Sequence, residues 1–179
     1  MEQENLAVSE LVDRELLSRS FSLDVDCHSG FGLADRIWFP YAHTRAPMAH
    51  LAEMHALWRI FTQSHAQHRY LFEPQSLQYL AHGDLWDYLY QRASTRASGV
   101  FLPLTLEMGS WLWVKKNPRQ LFSRLGIFNP LIAHRLQRVL RRHQSLLDFL
   151  SRAACGHRLW LPDPDARARN HAQALQDWY

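Results

Sequence analysis

The run Leu23-Asp24-Val25-Asp26-Cys27, leading into His28-Ser29-Gly30-Phe31-Gly32, constrains this chain more than any other stretch. Apolar and acidic residues alternate through it, as they do in a half-buried β-strand. The glycines that follow let the backbone come close to a neighbouring group. His28 stands where the strand gives way to the loop. At such a place a histidine is either a hydrogen-bonded structural residue or a metal ligand presented by a sheet.

A second strand is predicted from Val100 to Leu106, an apolar run that ends in Glu107. An unpaired carboxylate taken out of water costs several kcal/mol, so Glu107 sits at the mouth of the sheet in water, is paired, or lies near a cation. Between the two strands, Tyr79 precedes a turn at His82-Gly83-Asp84 and the start of an aromatic helix at Leu85-Trp86-Asp87-Tyr88.

In this order, a histidine after a strand, a loop tyrosine, a Gly-x-x-x-Asp-aromatic segment and a strand ending in glutamate resemble the second half of the catalytic domain of zinc metallocarboxypeptidases of the carboxypeptidase A type. The roughly fifty residues from His28 to Tyr79 resemble that family's spacing as well. The resemblance implies an α/β fold, a mixed sheet flanked by helices, with residues 1–153 a partial catalytic domain and 154–179 a C-terminal tail. It implies His28 as the third ligand of one zinc ion, Glu107 as the catalytic glutamate that works on the metal-bound water, and Tyr79 as the substrate-capping tyrosine. The residue types suit that chemistry. Zinc in hydrolases takes three protein ligands and leaves a position for water, and a carboxylate beside it shuttles protons to the leaving amine. The implied substrate is a peptide cut at its C-terminal amide bond. A related zinc deacylase acting on an N-acyl amino acid is the alternative, and a non-catalytic interaction protein retaining half the scaffold is a third reading.

The chain also departs from the family. Its first two zinc ligands come from a His-x-x-Glu motif well before the third, whereas the twenty-seven residues before His28 contain no histidine. Arg14 and Arg19, the arginines in that leader, fall in or beside a predicted helix, Asn5 to Ser18, with Leu6, Leu11, Leu16 and Leu17 on its buried side. His50-Leu51-Ala52-Glu53 satisfies His-x-x-Glu literally, but it follows His28 and lies in the helical run Ala46 to His65, where it reads as structural. The expectation is therefore a C-terminal half with an incomplete ligand set, inactive alone and completed by an N-terminal half or by association with a second copy.

Other segments carry less chemistry. The loop Ser29 to Arg45 holds Ile37-Trp38-Phe39-Pro40-Tyr41, read as a packed lid over the sheet edge or as a substrate wall. Asp84 caps a helix over Leu85 to Arg92, with Trp86 packed inside; in the resembling family this region lines a specificity pocket. Asn117-Pro118 and Asn129-Pro130 break their segment into turns. A long helix from Leu131 to Ala153 puts Leu136, Leu140, Leu147 and Leu150 on one side and Arg135, Arg138, Arg141 and Arg142 elsewhere, a wet basic face. The tail from Leu161 is expected to pack poorly except for a short helix ending in Trp178-Tyr179.

Composition permits a folded domain: 179 residues, 47% hydrophobic, with seven tryptophans. The net charge of +3 comes almost wholly from arginine, only Lys115 and Lys116 being lysines, and no nucleic-acid partner is expected. Cys27 and Cys155 show no paired spacing, which favours a reducing compartment. The acidic start and the lack of an apolar run near the ~18 residues a spanning helix needs point to a soluble, cytoplasmic protein without a membrane partner.

Overall fold

Four strands, β1 (Phe21–His28), β2 (Arg36–Phe39), β3 (Leu71–Pro74) and β4 (Val100–Glu107), form one sheet in the computed structural model, which describes residues 2–30, 32–95 and 99–179. Their order is β1-β4-β2-β3. β1 runs parallel to β4, β4 antiparallel to β2, and β2 parallel to β3. Among the described residues six α-helices accompany it: α1 (Gln3–Glu15), α2 (Leu51–Ser64), α3 (Leu85–Thr95), α4 (Trp111–Lys116), α5 (Ala133–Cys155) and α6 (Pro164–Trp178). The architecture is the mixed α/β sheet with flanking helices that the alternation of strand and helix signals predicts.

β4 is central, and its near-continuous apolar sequence suits a strand covered on both faces; Phe101, Leu102, Leu104 and Leu106 are buried. Pro103 is tolerated because its nitrogen points away from β1, toward which the Val100 and Met108 amides donate. On that other side the ladder with β2 stops at Thr105, so no hydrogen bond is lost.

The core joins Leu51, Met54, Leu57 and Phe61 of α2 with Ile37 and Phe39 of β2, the β4 leucines, and Leu146 and Leu150 of α5. Each such side chain contributes about 1.5–3 kcal/mol when fully withdrawn from water.

Three expectations are corrected. The aromatic cluster read as a lid is strand β2, inside the sheet, with Ile37 1% and Phe39 2% exposed; a four-residue strand opening on a paired arginine lacks the length that marks a strand in sequence. On α1, Leu6 and Leu11 are about half exposed, at 48% and 49%, while Ser9 and Val12 are buried. That helix leans on α3, where Arg92 bonds Asp13 at 2.5 Å, so its inward side is narrower than its leucines suggest. The tail is well packed. Asp163 caps α6 by accepting from the Ala166 amide at 2.7 Å, Pro164 occupies the first turn, and Ala174 and Trp178 are buried against the rest of the core. Both cysteines are exposed free thiols. Among the described residues no helix is long and apolar enough to cross a membrane.

Candidate functional site

Parallel pairing in register brings the ends of β1 and β4 together, so that His28 is the partner of Glu107. Register partners project to the same face of a sheet. Two residues from chain positions far apart therefore meet at the carboxyl ends of adjacent parallel strands, where α/β proteins place their sites.

His28 is held between two carboxylates. Its Nε2 lies 2.8 Å from Asp26 Oδ2 and its Nδ1 lies 3.8 Å from Glu107 Oε1. A neutral ring donating from Nε2 leaves Nδ1 turned toward Glu107, whereas an imidazolium serves both acids. Asp26 is fixed in turn by the Trp86 indole, which donates to the same Oδ2 at 2.9 Å. Trp86 is thus partly buried, as expected, and also bonded to the site. Asp84 accepts from the Asp87 amide at 2.9 Å, the helix-capping role predicted for it.

The loop after His28 closes over Glu107. A Cβ on Gly30 would sit 2.2 Å from Glu107 Oε2, so a side chain there would displace the carboxylate from this position. The Gly30 carbonyl accepts from Ser110 twice, from its amide at 2.9 Å and its hydroxyl at 2.5 Å, and the Met108 amide donates to the His28 carbonyl at 2.9 Å. These bonds splice the ends of the two strands. Further along, the Gly109 amide donates to Asp35 Oδ1 at 3.1 Å, and Asp35 pairs with Arg142 of α5 at 2.5 Å.

Tyr79 follows the short 3-10 turn Gln75–Leu77 and is half exposed. It faces Glu107 across a cavity of about 420 Å³ whose other walls include Arg36, Trp38, Gln78 and Gly30. The Tyr79 ring meets Trp38 edge to face at 5.8 Å, and its hydroxyl accepts from Gln75 Nε2 at 3.3 Å. Arg36 pairs with Glu73, which also accepts from Trp38 Nε1 at 3.1 Å and from Gln78 at 3.0 Å. The structure thus brings His28 and Glu107 into direct apposition and sets Tyr79 across a cavity from Glu107.

Electrostatics follow from this geometry. Desolvation pulls the His28 imidazole down, but the Asp26 hydrogen bond and the charges of Asp26, Glu107 and Asp84 outweigh it and hold its pKa above the ordinary value. Burial raises the Glu107 carboxyl; His28 offsets part of the rise and the Asp26 charge adds to it. Asp24, one turn of the pleat earlier on the same face, is pushed up to about 6 by burial and then by Asp26, and its Oδ2 is buried without a partner. A histidine inclined to hold its proton beside a glutamate inclined to accept one is a pair suited to proton transfer.

A resident zinc asks for three protein ligands. His28 offers Nδ1, the nitrogen not engaged by Asp26, but among the described residues no group of three or more His, Cys, Asp or Glu side chains is placed to hold a metal ion. Within these residues the ligand set does not close. His50 and Glu53 do not complete it: His50 Nδ1 takes the Tyr90 hydroxyl at 2.9 Å, and the Glu53 carboxylate accepts from Arg167 of α6 at 2.6 Å. Two members of the site, Asp26 and Arg36, were not singled out as functional by sequence. Asp26 could have been, because strand alternation sets it on the same face as His28; Arg36 had no signal, its strand being unrecognised.

No known family profile matches this chain, and neither the curated proteins nor the solved structures give a match.

Proposed function

We propose that this chain carries part of a hydrolytic centre of the zinc metallocarboxypeptidase type, with His28 as one metal ligand, Glu107 as the proton-shuttling glutamate and Tyr79 as the residue that closes on substrate, the remaining ligands coming from polypeptide outside these 179 residues. The observation that carries the reading is the register pairing of His28 with Glu107 at the carboxyl ends of adjacent parallel strands, with Tyr79 facing Glu107 across the cavity. In this reading Glu107 takes a proton from a water attacking an amide carbonyl and returns it to the leaving amine, and its raised pKa suits both transfers. Tyr79 donates from its hydroxyl to the bound substrate. Trp38 and Tyr79 supply apolar area beside the reacting bond, and the free thiols accord with a reducing, cytoplasmic setting.

The test is a zinc titration of the 179-residue protein against a chromophoric chelator. One weak site per chain, lost in His28→Ala, is the expected outcome. A site unchanged in His28→Ala, or none at all, rejects the assignment.

A further inference from the structure

The stretch from Met108 to Leu147 contains two lysines and six arginines and no aspartate or glutamate, although the chain has 17 acidic residues. The rest of the molecule is net acidic, so the positive charge is concentrated in this stretch of the chain. The same stretch holds the most exposed aromatic residue described. Phe122 is 93% exposed, Leu125 60% and Leu121 45%.

Their exposure is built in. Gln120, 1% exposed, donates to the Gly126 carbonyl at 2.9 Å and to that of Asn129 at 3.3 Å, and accepts from the Leu131 amide at 3.4 Å. That buried side chain gathers residues 120–131 into a turn whose inside is polar and whose tip is apolar. Around the tip Lys115, Lys116, Arg119 and Arg124 are exposed, and Lys116 lies over the Trp113 ring. Beyond it the first ten residues of α5, 133–142, include none that is buried and continue both characters, with Leu136 and Leu140 exposed beside Arg138 and Arg141.

A second copy of this surface would be repelled by like charge, and a nucleic acid, even a single strand with a base stacked on Phe122, would leave Leu121, Leu125, Leu136 and Leu140 in water. An anionic bilayer meets both features at once, since its headgroups attract the cations and its interface accepts the apolar tip. The expectation of no membrane partner rested on the lack of a spanning segment, and peripheral attachment needs none. We propose that the cationic, apolar-tipped turn around Phe122 docks this protein peripherally on an anionic lipid surface. The assignment is independent of the hydrolytic reading, because it uses none of His28, Glu107 or Tyr79.

The test is co-sedimentation of the full chain with vesicles of phosphatidylcholine alone and with about 30% phosphatidylserine, at low salt and at about 0.5 M salt. Binding to the anionic vesicles at low salt, at least about tenfold over the neutral ones, lost at high salt and weakened about tenfold by Phe122→Ser, is expected. Lys115→Glu with Lys116→Glu should weaken it further without changing the α-helical circular dichroism. Equal binding to both vesicle types, no binding at low salt, or an undiminished Phe122→Ser would overturn the proposal. So would salt-dependent binding of single-stranded RNA, or dimerisation abolished by Phe122→Ser, in a protein that leaves vesicles alone.

Discussion

The strand ends around His28 and the contact between α2 and α6 use the same residue types for opposite purposes. At the α2–α6 contact, Glu53 is tied to Arg167 at 2.6 Å and His55, 1% exposed, to Asp177 at 2.9 Å, while Trp178 packs at steep ring angles among Phe39, His55 and Trp58. Each charged group there reaches from one helix to another, and the result is a clamp. At the strand ends, His28 is half exposed and lies between two carboxylates, one of which, Glu107, lines a cavity. Residue identity therefore says less than the number of elements a side chain ties together. A His-x-x-Glu spacing can be mortar, and a lone histidine two residues past an aspartate can stand half exposed at a strand end.

The largest loss of stability is expected at Trp178. Trp178→Ala removes a large buried ring from the clamp and should cost about 3–5 kcal/mol in urea unfolding; a loss near zero would mean that α6 is not part of the core. Next comes Asp24. Its folded pKa of about 6 exceeds its ordinary 3.8, so the folded chain holds the proton more tightly and the stability Asp24 contributes is lost as pH rises through about 6. Asp24→Asn should accordingly stabilise the protein at about pH 7 by roughly 1–2 kcal/mol, solvent screening included, and leave it unchanged near pH 4. Urea midpoints at the two pH values would measure this, and a destabilised variant at neutral pH would show that the carboxylate is wanted charged.

The smallest effect is expected at His28. The His28 pKa is raised, so the stability it lends is present below its unfolded value and disappears as pH climbs through the folded one. Because the side chain is 52% exposed, His28→Ala should cost no more than about 0.5 kcal/mol near pH 5 and nothing near pH 8. A cost of the size seen at Trp178 would make His28 structural and remove the distinction between the two regions.

The sequence made β1, β4 and the helices near α2, α3 and α5 legible, because their periodicity is long enough to be read. His28, Glu107 and Tyr79 were picked out from their places at the ends of strands and in a loop; the structure pairs His28 with Glu107 and sets Tyr79 on the wall of a cavity that Glu107 also lines. Three things were hidden. β2 has four residues and opens on Arg36, whose partner Glu73 lies on a strand equally short. The burial of α6 depends on surfaces of α2 and β2 that local pattern does not encode. The exposure of Phe122 depends on a buried glutamine that no periodicity announces.

The pairing of β1 with β4 joins residues 79 positions apart at His28 and Glu107. Contacts of such separation form late, since the chain between them must be ordered before the ladder returns any stabilisation. The imidazole and the carboxylate thus have no shared environment in nascent or partly folded chains. Only the share of the upward His28 displacement that Glu107 supplies, which ranks after that of Asp26 two residues away, reports arrival at the finished topology.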